Sequence, residues 1–224
     1  MRKLHGPATS PFVRKTWIAL QEKGIVFEHR QLDPLDKTPA FLAMNPLGRV
    51  PILEEEDGTY ICDSSAICDY LEHVQPEPPL YPSNPRDRAR ALWYEEYGDT
   101  LLTQICARVF WMHIIIPVRS GSPVDPAEVA GFVDEHFPPA LDYLERQAPE
   151  GSGIVAGRFG IADISLASPL RLLDLAGAPL DAQRWPRLGA YYRRIIGRPS
   201  AQSIVAAEVA ATEVFRTTGN APVE

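Results

Sequence analysis

Gln75-Pro76-Glu77-Pro78-Pro79-Leu80-Tyr81-Pro82-Ser83-Asn84-Pro85 holds five prolines in eleven residues. A proline inside a helix removes a backbone donor and clashes with the preceding turn, so no helix continues through this stretch. It reads as an extended linker over residues 76–85. The two parts it separates carry different patterns: residues 1–75 mix strand and helix signals, whereas residues 86–224 show helical periods alone.

Upstream of the linker, residues 3–5 are a short strand. Residues 11–23 are helical, with Val13, Trp17 and Leu20 at i, i+4 and i+7 and Gly24 as a stop. Residues 26–30 alternate like a strand, and residues 38–44 make a short helix that ends before Pro46. Residues 51–53 and 59–61 flank Asp57-Gly58, a good hairpin turn. Residues 64–74 are helical, with Ala66, Ile67, Tyr70, Leu71 and Val74 on one face. The order β-α-β-α-β-β-α is a thioredoxin-like α/β arrangement. Downstream, residues 86–116 read as one long helix or two in line, stopped by Pro117, followed by helices over 127–146, 161–175, 185–196 and 201–215. This is an all-α helical bundle. Residues 217–224 are polar and expected to fray.

The composition narrows the function. With 45% apolar and 23% charged residues in 224, the chain is an ordinary globular protein rather than a disordered or fibrous one. Its most apolar stretch, residues 109–118, contains His113 and is too short to span a bilayer. The basic residues near the N-terminus precede no apolar signal region, so a cytoplasmic location is expected. Cys62, Cys68 and Cys106 are an odd, low count without a Cys-x-x-Cys, which argues against a disulfide framework or a dithiol redox pair. No His/Cys cluster has zinc spacing, so no metal is expected. A net charge of −7 provides no electrostatic reason to bind nucleic acid or an anionic membrane.

Three segments of the first part carry chemistry. In Thr9-Ser10-Pro11-Phe12, Ser10 stands where a helix N-cap belongs and Pro11 at the first helical position. The free N–H groups and dipole of that helix favour an anion, and a serine hydroxyl there can donate to a thiolate. In Asn45-Pro46-Leu47-Gly48-Arg49-Val50-Pro51, Pro46 and Gly48 make a turn and Pro51 starts a strand. In Cys62-Asp63-Ser64-Ser65-Ala66-Ile67, Asp63 or Ser64 caps the next helix, whose N-terminus can hold a carboxylate while Asp63 holds an ammonium group. That suits an α-amino acid head group. Taken singly, Ser10 and the Asp63-Ser64 pair are each better read as plain caps.

Taken together, the order and spacing of these segments resemble the glutathione transferase superfamily. Phe159-Gly160-Ile161-Ala162-Asp163-Ile164 is similar to that family's buried capping box and staple, so the resemblance spans nearly the whole chain. It implies a glutathione transferase fold and a glutathione site made of Ser10, Phe12, Arg49, Val50, Pro51, Asp63 and Ser64. In that likeness Ser10 is the thiol-activating serine of the serine-type classes, such as tau, zeta and many bacterial members. The Val50 backbone pairs with the glutathione cysteine across a cis Val50–Pro51 bond. Asp63 and Ser64 hold the γ-glutamyl end, and Arg49 reaches the glycyl carboxylate. The chain departs from the family at Gly160, where Ser or Thr is usual, and at Asp63, one methylene shorter than the usual Glu. Thr9 places a second hydroxyl beside Ser10.

The resemblance further implies conjugation of glutathione, as co-substrate, to a small electrophile by a cytoplasmic homodimer built from the N-terminal domain of one chain against the long helix of the other. It implies an electrophile pocket between the domains, for which Leu101, Ile105, Arg108 and Trp111 are candidates at helical spacing; the same spacing suits core or dimer contacts. Two alternatives stand beside this reading. One is a glutathione-dependent isomerase, dehalogenase, peroxidase or disulfide reductase on the same fold, although Ser10 counts against the reductase and Thr-Ser-Pro differs from the zeta isomerase's Ser-Ser-Cys. The other is a non-catalytic transferase-like binding module, against which the intact set of site residues argues.

Overall fold

Leu4 marks the middle of a four-stranded sheet in the computed structural model of the chain, which describes residues 1–33, 35 and 37–219. Strand β1 (Arg2–His5) pairs in parallel with β2 (Phe27–Arg30) and antiparallel with β3 (Ile52–Glu54). Strand β4 (Tyr60–Cys62) adds antiparallel to β3, so the order is β2-β1-β3-β4. Leu4 stands opposite His29 on one side and Leu53 on the other, and Leu4, Ile52 and Leu53 are fully buried. The parallel β1–β2 pair needs a crossover, and α1 (Pro11–Glu22) supplies it. Helix α2 (Pro39–Met44) precedes β3, and α3 (Ser64–Val74) follows β4. Every one of these elements lies within a residue of the bounds expected from the sequence.

The division of the chain differs from the expected one at its far end. Met1–Leu80 forms one compact unit together with the C-terminal helix α8 (Pro199–Thr218), and Tyr81–Arg198 forms the other. Helix α8 packs on α1, where Trp17 Nε1 donates to Ser203 Oγ at 2.8 Å, Ser200 Oγ donates to Glu22, and Arg14 pairs with Glu208. A helical period announces α8 but does not say which element it will cover. Covered by α8, α3 and β1, α1 is buried on most sides, Arg14, Lys15 and Thr16 included, although the Val13-Trp17-Leu20 stripe predicts a single buried face. The linker is also held: Lys23 Nζ donates to the carbonyls of Gln75 at 2.7 Å and Pro78 at 3.1 Å and pairs with Glu72 at 2.7 Å.

The second unit is helical: α4 (Pro85–Ser120), α5 (Pro126–Gln147), α6 (Ile161–Leu175) and α7 (Pro186–Ile196). Helix α4 corrects one expectation. It does not stop at Pro117 but runs on to Ser120 and ends at Gly121 in the left-handed region, φ 73°. A π turn over Trp111–Ile115 widens the ladder just before Pro117, which is how a helix accommodates a residue that lacks the N–H and crowds the turn behind it. Length and composition make this helix long and apolar enough to cross a membrane, although residues 109–118 alone are too short to do so. Its Leu102, Ile105, Cys106, Val109, Met112 and Ile114 are core residues. A Cβ on Gly98 would stand 2.3 Å from the Ser165 carbonyl oxygen, so glycine lets the α4 and α6 backbones touch. Helix α8 continues through part of the stretch expected to fray; residues 220–224 lie outside the described residues.

Candidate functional site

The three chemistry-bearing segments meet within the first unit. At the start of α1, Ser10 is the N-cap with Pro11 behind it. Its Oγ accepts a long bond from the Val13 N–H at 3.4 Å, and its own N–H donates to the Pro7 carbonyl at 2.9 Å. Its hydroxyl proton has no acceptor among the described residues. Ser10 and Phe12 are both half-buried.

The second segment is shaped by a residue the sequence reading passed over. Asn45, buried, donates through Nδ2 to the Arg49 carbonyl at 2.8 Å and accepts from the Leu47 N–H at 3.0 Å, which folds the turn before Val50. The Val50–Pro51 bond is cis, as expected. Gly6 was missed as well. It sits at φ +137°, and a Cβ there would lie 2.6 Å from Val13 Cγ2 and 2.9 Å from Val50 Cβ. Only glycine lets Val50 and the first turn of α1 close on each other this way. A glycine directly after a short strand was the signal available for it. Arg49 is exposed and has no ion-pair partner among the described residues.

The third segment lies beside the second because Ile52 pairs with Cys62 across β3 and β4, and Cys62 Sγ donates to the Met44 carbonyl at 3.4 Å. Asp63 caps α3: Oδ1 accepts from the N–H groups of Ser65 at 2.9 Å and Ala66 at 3.1 Å. Asp63 has φ 79° and ψ 133°. That region is unfavourable for a side-chain-bearing residue, and such strain collects at functional sites. Ser64 is buried beside it. Beneath this helix start lies Lys15, fully buried, whose Nζ donates to Ser65 Oγ at 2.9 Å. Nothing in the local pattern flagged Lys15, since a lysine on a helix is ordinarily exposed. Burial, with Asp63 as the next cause, pushes the Cys62 thiol above its usual pKa, so it is a poor thiolate.

Chemically, the arrangement offers an anion site with an unspent hydroxyl donor at α1, a carboxylate site at the start of α3, an exposed carboxylate for an ammonium group, and a guanidinium for a second carboxylate. A short peptide with an amino-acid head, a central thiol and a terminal carboxylate suits those groups. Among the described residues no group of three or more His, Cys, Asp or Glu is arranged to hold a metal.

The remaining candidates lie on α4 in the second unit. Leu101 and Trp111 are exposed, Arg108 pairs with Glu128 at 3.4 Å, and Ile105 is buried in the helical core. Asp163, on α6, accepts from the Gly160 N–H at 2.8 Å, as the capping motif predicts.

Residues 4–79 match the family model for the N-terminal domain of glutathione S-transferases, and residues 91–194 match the one for their C-terminal domain. The chain is 39% identical over 100 residues to the uncharacterized GST-like protein YibF of Escherichia coli, a match that covers 45% of this chain and only 50% of that relative's length. It is 26% identical over 215 residues to FtsZ-localized protein A of Caulobacter vibrioides, covering 92% of this chain and 91% of the other. Among solved structures, a glutathione S-transferase of Methylobacterium radiotolerans in complex with glutathione sulfonate has a TM-score of 0.73 at 28% identity, over 91% of this chain and 94% of that one.

Proposed function

The chain belongs to the glutathione S-transferase family, and from that membership we propose that it is a serine-type transferase that activates the thiol of glutathione through Ser10 and conjugates it to a small electrophile. The observation that carries this reading is the Ser10 hydroxyl, placed at the α1 N-terminus with its proton unspent, in a loop that Gly6 closes against Val50.

Glutathione supplies the nucleophile. A free thiol has a pKa of about 8.5 and is mostly protonated at neutral pH. Ser10 donates to the sulfur in its charged form, and the α1 dipole adds to this, so the proton is released to solvent more readily. Each unit of pKa lowering corresponds to about 1.36 kcal/mol. Val50 offers its N–H and C=O to the cysteinyl residue as a strand edge does, with Pro51 fixing the chain behind it and Phe12 lining the site. Asp63 and Ser64 take the γ-glutamyl end, and Arg49 takes the glycyl carboxylate. The sulfur–carbon bond then forms as the leaving group departs with its electron pair. In this reading residues 1–75 are the glutathione-binding domain, 76–85 the linker and 86–224 the helical domain, whose last helix α8 folds back onto the first domain. Leu101, Ile105, Arg108 and Trp111 are the electrophile candidates, and the working form is a cytoplasmic homodimer. Light scattering that returns a monomer mass at micromolar concentration would remove the dimer.

Calorimetric titration with glutathione tests the binding, and Ser10→Ala tests the chemistry. A hydrogen bond to a charged group contributes about 1.5–3 kcal/mol, so Ser10→Ala is expected to lower conjugation roughly 10- to 100-fold while affinity, set by the two ends of the tripeptide, changes little. Full activity in that variant would transfer the role to Thr9 or a backbone N–H. One observation favours a second reading, a module that docks on a protein partner: the match to FtsZ-localized protein A, named for its place on a partner, runs nearly the length of both chains. Absence of heat on titration with glutathione, and a melt unchanged by millimolar glutathione, would select it.

A further inference from the structure

Arg14 of α1 and Glu208 of α8 form an ion pair in which neither side chain has any exposed surface. Stability alone gives little reason for it, because replacing a buried ion pair with apolar residues of similar volume is often neutral or stabilising. Nor is it the sole tie between these helices, since Trp17 donates to Ser203 and Ser200 to Glu22. What an apolar residue at position 14 would lack is a second arm. While Nε of Arg14 is engaged by Glu208, its Nη2 donates to the Thr9 carbonyl oxygen at 3.4 Å. The guanidinium is a rigid planar fork, so Glu208, by holding one arm, sets the direction of the other.

The Thr9 carbonyl belongs to the peptide that enters Ser10. The opposite side of that same peptide, the Ser10 N–H, donates to the Pro7 carbonyl at 2.9 Å. The peptide plane is therefore held at both its oxygen and its nitrogen. Its orientation fixes φ of Ser10, −69°, and with it the direction in which the side chain leaves the backbone. We propose that Glu208, 194 residues away in sequence, acts through Arg14 and the Thr9 carbonyl as a positioning residue for the Ser10 hydroxyl, so that the C-terminal helix sets how strongly the bound thiol is activated. The inference rests on Ser10 being the thiol-activating group.

The test uses the full chain and three variants. In the double variant Arg14→Met with Glu208→Leu, the ion pair is exchanged for apolar volume, so no unpaired charge is left buried. Arg14→Lys keeps a cation facing Glu208 but loses the fork. Trp17→Phe cuts a different α1–α8 bond. Three quantities are measured: the glutathione dissociation constant by calorimetry, the pH at which the thiolate absorbance of bound glutathione is half developed, and kcat and KM for an activated aryl chloride. The parent is expected to bind glutathione with its thiol midpoint below that of free glutathione. The double variant and Arg14→Lys should keep the dissociation constant within about twofold, with the midpoint about one unit higher and kcat lower by about tenfold, the equivalent of one pKa unit. Trp17→Phe should keep the parent midpoint. Should the double variant not fold, Arg14→Lys decides alone. Parental midpoint and kcat in the folded Arg14 variants overturn the proposal, and so does an equal shift in Trp17→Phe, which would mean general loosening of α8. A parent that binds glutathione with an unshifted thiol removes the role of Ser10 and this inference with it, and that outcome is visible before any variant is compared.

Discussion

Asp63 at the start of α3 and Asp163 in the first turn of α6 are the same carboxylate at the same kind of place, a helix N-terminus whose free N–H groups and dipole favour negative charge. Their surroundings make them opposites. Asp163 is 1% exposed and accepts from the N–H groups of Gly160 and Ile154, each at 2.8 Å, and from the Tyr191 hydroxyl. Burial pushes its pKa up, against the pull of the Tyr191, Ile154 and Gly160 bonds. Asp63 is exposed, sits at positive φ, and accepts helix N–H bonds through Oδ1 alone, so that Oδ2 has no partner among the described residues. A carboxylate whose bonds all close inside the protein is part of the fold. One held in an unfavourable backbone geometry with an oxygen left over is available to a ligand.

The largest expected effect is on the buried member. Asp163→Ala strips an acceptor from three buried donors at once and should lower unfolding free energy by about 3–5 kcal/mol, since a buried donor left unsatisfied costs about 1–3 kcal/mol. Ordinary cap loss would be only about 0.5–2 kcal/mol. Urea titration measures it, and a loss no greater than a cap would mean that Ile154 and Tyr191 draw little from this carboxylate. Glutathione affinity of the folded variant should match the parent.

Asp63→Ala should show the reverse pattern. Glutathione affinity should fall at least tenfold, as expected when a charged partner worth about 1.5–3 kcal/mol is removed, while stability drops by only about 1 kcal/mol for the cap. Calorimetry and a melt on the same sample check both halves. Parental affinity would place the γ-glutamyl site elsewhere and erase the contrast.

The contrast also has a pH signature. Because the Asp163 pKa is raised on folding, the native state holds that proton more tightly than the unfolded chain does. The sign follows from linkage: where the native state binds more protons, stability falls as pH rises. Relative to Asp163→Asn, the parent should therefore lose stability as pH climbs from the ordinary carboxylate range through the raised native value. Parallel stability-versus-pH curves for the two proteins would show that the hydrogen bonds fully offset the burial.

The smallest effect is expected at the cap itself. Gly160 has φ −170° and ψ −162°, extended backbone open to any residue, so Gly160→Ser restores the missing half of the reciprocal box without strain. The gain should be a few tenths of a kcal/mol, the usual difference between serine and glycine at an N-cap. A melting shift downward would mean that the added side chain collides with its neighbours.

Much of this molecule was legible from local pattern. Ser10 and Asp63 cap the helices they precede, as their positions imply, and the Asp57-Gly58 turn joins β3 to β4, because caps and turns are settled by neighbours within about four residues; Thr38, read as the first residue of its helix, is its cap instead. The same signals ordered the three site segments along the chain. Three things were not legible. Pro117 reads as a stop, yet a π turn upstream absorbs it. Helix α8 reads as one more bundle member, yet it closes on α1. Nothing in the local pattern marks Arg14 and Lys15 as buried, yet both are.

Local sequence set the bounds of the elements in the first unit to within a residue, the caps at Ser10 and Asp63, and the order β-α-β-α-β-β-α followed by helices, but not the ends of α4 and α8. Tertiary structure alone decided which of two alike aspartates is sealed and which is open, that Glu208 meets Arg14, and that Gly6 must be bare for Val50 to reach α1. The reason is range. Backbone preference and capping depend on a handful of adjacent residues, whereas burial, the partner of a charge and the space left for a Cβ depend on chain segments that come together only when the fold closes.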